Sequence, residues 1–362
     1  MKKVLILGPF PKPISGVSLA NKVVKEILDN STSFTVDKIN TSYPEFQDKI
    51  GSFTFKKLWF FLKVNFSFFK VFNSDIIYIT PGQTFFGVTK YALFILTSSL
   101  FKKELIIHVH GNYLAEQYKQ LTGFKKNIFY FLLSKFKKGI VLSASLKGNL
   151  TPFINNNKIY VLNNFAESYL AENLKEIDNS MLKITYLSNL MEEKGVFYLL
   201  DALQELEKNN INYKAKIAGN IDIKLKDEII SKITNLKNTT YLGLVYNTQK
   251  KDLLEWGNTF VLPTFYKMEG QPISILEALA TNNIIVSTKH AGIPDIIQHN
   301  KNGYLVEKES VHSLVDVFTF LSKNISEIDE MINENKQYFA DNFTIEKFTK
   351  EILAIFLDDA KT

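Results

Sequence analysis

The stretch EGQPISILEA, residues 269–278, places two carboxylates, Glu269 and Glu277, eight residues apart, with a glycine and a proline close to the first. It follows NTFVLPTFY, a β-branched and aromatic run that reads as a strand. An acid at a strand end with a helix starting at once sits where open parallel sheets bind ligands. If the helix begins near Gly270–Ile273, the 3.6-residue period turns Glu277 about 80° away from a helical residue 269. The two acids need not touch, and separate tasks for them are open. The backbone N–H groups of Gly270, Gln271 and Ile273 lie at the helix mouth near Glu269. Gln271 and Pro272 narrow that mouth, and proline is tolerated in a first helical turn.

Three further places could do chemistry. In YLSNLMEEKGVFYLL a strand ends at Ser188, and Lys194-Gly195 opens a helix. An ammonium beside unpaired N–H groups at a helix N-terminus suits a diphosphate. In GPFPKPISGVS the first strand runs into a tight loop, and Gly16 precedes a helix, where a glycine lets backbone N–H groups approach a phosphate. The spacing is not G-x-G-x-x-G. In ELIIHVHG a strand ends at His110, with His108 on the same face. Each has an ordinary alternative: a strand-to-helix turn, a solvated loop lysine, a core histidine.

Positioning these residues requires a scaffold. Strand-like runs alternate with helical ones: KVLILG, FTVDKIN, DIIYIT, ELIIHVHG, KGIVLS and KIYVLN, then LKITYLS, YKAKIAG, TTYLG, NTFVLP, NIIVST and GYLV. Apolar strands separated by amphipathic helices predict α/β parallel sheets covered on both faces. The pattern restarts near Met181 after the polar stretch AESYLAENLKEIDNS. The expected organisation is a first Rossmann-like domain over residues 1–165, a linker over 166–180 and a second over 181–342. A C-terminal helix, 343–362, is expected to pack back on the first domain.

At 362 residues, 46% hydrophobic and 22% charged, the chain suits two folded domains. It has no cysteine, which excludes disulfides and thiolate metal sites, and its five histidines show no metal-ligand spacing. The opening MKKVLILGPF has too short an apolar run for a signal peptide, and YALFILTSSLF is too short for a membrane span. A cytoplasmic location is expected. All 43 basic residues are lysine; residues 1–150 carry 21 of them against 8 acids, while residues 151–362 carry 22 against 29. A basic half fits an anionic partner. Segments 52–72 and 123–139 mix aromatics and lysines at helical spacing, as a helix lying on an anionic membrane does. The same pattern fits a core face with a solvated lysine face.

The Gly16 loop, VHG, EEKG, EGQPISILEA and AGIPDII with NGYLV, in this order along the chain, resemble the retaining GT-B glycosyltransferases of family 4 from about residue 4 to about residue 345. The E-x₇-E signature of that family is met by Glu269 and Glu277. The resemblance implies a GT-B fold, two facing Rossmann-like doubly wound parallel-sheet domains, and transfer from a nucleotide-diphosphate sugar, a UDP-sugar first among them. Glu269 would then face the sugar, Glu277 would bind the ribose, and Gly270, Gln271, Pro272 and Ile273 would hold sugar hydroxyls and a phosphate. Lys194 would neutralise the diphosphate, Gly16 would approach it from the other domain, and His110 would lie near the reacting centre. Where the family usually has Gly-Arg before the lysine, this chain has Ser188-Asn189. Asn189 offers phosphate a neutral donor in place of a bidentate cation, so Lys194 and the helix N-termini carry that charge, with Lys12 and Lys267 as further candidates. No metal and no other cofactor is expected.

The acceptor implied is a lipid-linked or growing surface glycan, as in capsule, O-antigen or lipopolysaccharide assembly, with the enzyme peripheral at the inner face of the cell membrane. Two alternatives stay open: a nucleotide-sugar epimerase, and a nucleic-acid-binding protein suggested by the basic first half. Lysine without arginine reads bases poorly and no nucleic-acid module is present, so no nucleic-acid partner is expected. A dinucleotide-dependent oxidoreductase would want G-x-G-x-x-G after the first strand.

Overall fold

The computed structural model of the chain describes residues 1–12, 15–43, 55–325 and 329–357. Among them, twelve strands form two six-stranded sheets in which every paired neighbour is parallel. The first sheet contains β1 (Lys2–Gly8), β2 (Phe34–Asn40), β3 (Ile76–Ile79), β4 (Glu104–Val109), β5 (Lys138–Val141) and β6 (Ile159–Val161), in the order β2-β1-β3-β4-β5-β6. The second contains β7 (Leu182–Leu187), β8 (Tyr213–Ala218), β9 (Thr239–Tyr241), β10 (Thr259–Leu262), β11 (Ile284–Thr288) and β12 (Gly303–Val306), in the order β12-β11-β10-β7-β8-β9. Each strand-like run in the sequence forms its strand.

Burial explains which runs are continuous and which alternate. Inner strands are covered on both faces: all four residues of IIYI in β3 and of TFVL in β10 are buried. The edge strand β2, FTVDKIN, buries only Phe34 and Ile39. The helix Val196–Lys208 lays Val196, Leu199, Leu200, Leu203 and Leu206 on the second sheet's core, one stripe at helical spacing.

The chain divides into two compact units, Met1–Asn163 together with the residues from Phe348 on, and Asn164–Lys347. Within the first, Phe356 of the helix Ile345–Leu357 packs its ring 5.9 Å from Phe34 and 5.6 Å from Tyr78. Buried Lys138 pairs with Glu104 at 2.8 Å and donates to the Ile355 carbonyl at 2.9 Å, a cation set near a helix C-terminus. Within the second, Ala166 and Leu170, from the stretch expected as a linker, are buried in the core.

Each sheet has one point where its strand order reverses, and there the loops on neighbouring strands leave in opposite directions and open a crevice. In the first sheet this lies between β1 and β3. Asn21 donates there to the Pro9 carbonyl at 2.9 Å and to Thr80 Oγ1 at 2.7 Å, and a Cβ on Gly8 would stand 2.0 Å from that Thr80 oxygen. In the second sheet it lies between β7 and β10. Among the described residues, no helix is long and apolar enough to cross a membrane.

Candidate functional site

The reversal in the second sheet brings Lys194 and Glu269 together. The loop after β7 makes a short turn over Glu192–Lys194, and Gly195 then starts the helix Val196–Lys208 at φ +77°. That conformation favours glycine, and a Cβ on Gly195 would stand 2.2 Å from the carbonyl oxygen of Pro263, the residue after β10. The two loops are also tied by hydrogen bonds: Phe265 N–H and Thr264 Oγ1 both donate to the Glu193 carbonyl, at 2.8 and 3.2 Å. So held, Lys194 Nζ reaches Glu269 Oε2 at 2.5 Å, and Thr264 Oγ1 donates to the same oxygen at 3.1 Å. The ammonium lies 5.3 Å from the Tyr266 ring centroid, where the π face adds attraction. Among the described residues no group bonds the other oxygen, Glu269 Oε1.

Glu269 is followed by the helix Ile273–Ala280, with Pro272 as its N-cap. Ile275 N–H donates to the Pro272 carbonyl at 3.2 Å, whereas the N–H groups of Ile273 and Ser274, like those that open Val196–Lys208, have no partner within the helix. Gly270 and Pro272 are buried and Ile273 is half-buried. The Gly270 carbonyl accepts from Gly292 N–H at 2.9 Å. Gln271 is buried, and both of its carbonyl oxygens are engaged by Asn164: Oε1 by the backbone N–H at 2.6 Å, the main-chain oxygen by Nδ2 at 2.8 Å.

Glu277 has a separate environment. It is buried on the inner face of that helix, with Lys250 Nζ at 2.5 Å from Oε1, and Lys250 in turn lies 3.2 Å from Glu167 Oε2. Burial pushes the Glu277 carboxyl up, and Lys250 opposes the rise. Beside the Lys194 pair, His290 Nε2 lies 2.8 Å from the Tyr266 carbonyl, and burial holds this imidazole below its ordinary value.

Two expected residues lie in the first unit. His110 follows β4, its ring 4.0 Å from that of His108, whose Nδ1 is 2.5 Å from Tyr78 Oη. Among the described residues, nothing hydrogen-bonds the enclosed Nε2 atoms of the two histidines. Burial pushes the His110 imidazole down to about 3, and burial and then His110 hold His108 well below its ordinary value. Both rings are neutral at neutral pH. Gly16 is exposed at the start of the helix Gly16–Asp29, whose capping box uses Ser15 and Ser18 (Ser18 N–H to Ser15 Oγ at 3.2 Å, Ser15 N–H to Ser18 Oγ at 2.7 Å). Residues 13 and 14 of the GPFPKPISGVS loop lie outside the described residues.

Asn189 is exposed beyond β7, and its carbonyl accepts from Tyr186 Oη at 3.2 Å. Lys12 and Lys267 are also exposed. Sequence reasoning overlooked Thr264, Tyr266, Glu167 and Lys250. Thr264 and Tyr266 could have been found from their place between β10 and Glu269. Lys250 carries no local signal, being 27 residues from Glu277 and 83 from Glu167.

Two six-stranded parallel Rossmann-like sheets, with charged groups gathered where the second reverses order, define a GT-B fold. The chain belongs to the family Glycosyl transferases group 1, whose description matches residues 172–359. It is 26% identical over 160 residues to the amylovoran biosynthesis glycosyltransferase AmsK of Erwinia amylovora, covering 43% of this chain and 39% of that protein. It is 23% identical over 254 residues to the poly(ribitol-phosphate) alpha-N-acetylglucosaminyltransferase of Staphylococcus aureus, covering 69% and 50%. The chain thus spans half or less of the length of these curated relatives. Its fold resembles the crystal structure of Anabaena HepE in complex with UDP and glucose, with a TM-score of 0.74 at 15% identity over 99% of this chain and 100% of the other.

Proposed function

We propose that this protein is a retaining, metal-independent glycosyltransferase of family 4 that moves a hexosyl group from a UDP-sugar to a hydroxyl of a lipid-linked or growing surface glycan. The observation that carries this reading is the Lys194–Glu269 pair at 2.5 Å, at the strand-order reversal and beside two helix N-termini. The UDP and glucose held by HepE and the glycan names of the AmsK and S. aureus relatives support the choice of donor and acceptor.

When the bond from the anomeric carbon to the diphosphate breaks, negative charge builds on the phosphate. Lys194 and the two helix N-termini stabilise that charge where it forms. Glu269 Oε1 accepts from a sugar hydroxyl, and Glu277 accepts from the ribose. The acceptor hydroxyl attacks from the face the leaving group vacates, and a departing phosphate oxygen takes its proton. From the family resemblance, His110 and Gly16 remain candidates for catalysis and donor binding.

Calorimetric titration with UDP, GDP, ADP and CMP in the presence of a chelator tests this reading. One diphosphate is expected to bind. Glu277→Ala should weaken it by about 10- to 100-fold, the loss of a hydrogen bond to a charged group worth about 1.5–3 kcal/mol. Lys250 retains Glu167 in that variant, so the fold is expected to hold. A Glu277→Ala protein that binds as tightly as wild type would overturn the assignment.

The same reading places the enzyme peripherally on the inner face of the membrane. Trp59, Phe66, Phe69, Phe72, Leu100 and Phe101 of the first unit are exposed, and the Phe72 and Phe101 rings meet at 4.8 Å. Lys103 borders them, donating to the Phe72 carbonyl at 3.2 Å. Of the two segments singled out in the sequence, 52–72 begins with three residues outside those described. In 123–139, Phe124 and Phe131 are exposed while Phe129 belongs to the core. Aromatic side chains beside lysines suit an anionic bilayer. Sedimentation should show binding to phosphatidylglycerol vesicles, weakened by salt and by the double change Phe66→Ser with Phe69→Ser. Equal binding to phosphatidylcholine vesicles, or binding unchanged in the double variant, would count against this surface.

A further inference from the structure

We propose that Lys250 is a positioning residue for the nucleotide: its ammonium holds the Glu277 carboxylate by one oxygen and leaves the other to the ribose hydroxyls. The proposal rests on the donor-site reading above, which assigns Glu277 to the ribose but gives Lys250 no part.

Three elements meet at this group. The helix Ile273–Ala280 supplies Glu277, the helix Asn247–Trp256 supplies Lys250, and the segment after Asn164 supplies Glu167 and Tyr169. Lys250 Nζ lies 2.5 Å from Glu277 Oε1 and 3.2 Å from Glu167 Oε2, with the Tyr169 ring centroid 5.8 Å away. Among the described residues nothing bonds Glu277 Oε2, and it is not one of the fully enclosed unpaired atoms. Neighbouring Lys251 donates to the Tyr169 carbonyl at 3.0 Å and to that of Glu172, so the helix also anchors the segment that presents Glu167.

The charges make Lys250 necessary. Glu277 is buried, and burial together with the nearby Glu167 favours its protonated form; Lys250 is the cation that opposes both. Burial acts to lower the Lys250 ammonium, but Glu277, Tyr169 and Glu167 together hold it above its ordinary value, so it stays charged across the neutral range. A carboxylate accepts from two hydroxyls, whereas a protonated acid gives up an acceptor site to its own O–H. Without Lys250, the carboxyl would rise further and bind its proton at a higher pH than it does beside the ammonium. Ribose binding by this acid would then be lost as pH falls and regained as pH rises.

The test uses the full chain and the nucleotide selected from the panel of UDP, GDP, ADP and CMP, together with its 2′-deoxy analogue, titrated calorimetrically between about pH 6 and pH 9, above the ordinary carboxylate range and below the ordinary lysine range. Wild type should show a flat affinity profile and a preference for the ribose form. Lys250→Met should bind about tenfold or more weakly at the acid end of the range, recover as pH rises, and lose most of its preference over the deoxy analogue there. Should Lys250→Met not fold, Lys250→Gln, which keeps a hydrogen-bond donor but no charge, carries the same expectation. If wild type binds and Glu277→Ala weakens binding, while the Lys250 variants show wild-type affinity and a flat profile, this inference is overturned and the donor-site reading stands. If no nucleotide binds, or Glu277→Ala is without effect, both fail.

Discussion

Lys194→Ala is expected to lower kcat for sugar transfer by about 10²- to 10³-fold, the size seen when one preorganised stabiliser of developing charge is removed. The chain contains no arginine, and Asn189 stands where the family usually has one. Among the described residues, Lys194 is the one lysine that forms an ion pair with Glu269, at the strand-order reversal. Its loss leaves the neutral N–H dipoles of the two helix N-termini, with Lys12 and Lys267 as the other candidate cations, to meet the departing diphosphate. The Lys194 side chain is largely enclosed against buried Glu269, so its loss also leaves that carboxylate unpaired, and the melting temperature should fall by several degrees. Lys194→Arg keeps the charge but spreads it over a planar group and should recover part of the rate. Initial rates with a UDP-sugar, measured alongside thermal melting, check both halves. A Lys194→Ala enzyme within twofold of wild type would remove Lys194 from the mechanism.

Gly195→Ala should cost about 2–5 kcal/mol of stability, from two separate causes. A left-handed conformation costs a non-glycine residue roughly 1–2 kcal/mol, and Gly195 has φ +77°. The new Cβ would also stand 2.2 Å from the Pro263 carbonyl oxygen, so backbone must move, at about 1–3 kcal/mol. For a unit of this size the melting temperature should fall by roughly 5–15 °C. Activity should fall further than stability alone explains, because the movement separates the turn carrying Lys194 from the loop carrying Glu269. Gly148→Ala is the control: it is exposed, and a Cβ there meets nothing within 4 Å. Equal melting temperatures for the two variants would show that the β7 and β10 loops are not locked together as described.

The sequence by itself determined the element types and their ends. Side-chain periodicity and strand-end glycines are local, so KVLILG, DIIYIT and NTFVLP could be read as buried strands and Lys194, Glu269 and His110 as strand-end residues. The restart of the pattern near Met181 marked two parallel-sheet domains, and resemblance added the GT-B class of fold. Only the tertiary structure decided which of these residues meet. Lys194 and Glu269 are 75 residues apart, and their contact depends on β10 returning to lie beside β7 after β8 and β9 have gone the other way. Asn164 reaches Gln271 across 107 residues, and Lys250 reaches Glu277 from another helix, 27 residues away. The aromatic segments show the same limit. Phe124, Phe129 and Phe131 are equal in composition, yet Phe129 is buried and the other two are exposed. Local pattern sets what each piece of chain can become, but sheet order sets its neighbours, and the charge of a carboxylate or the exposure of a ring depends on neighbours.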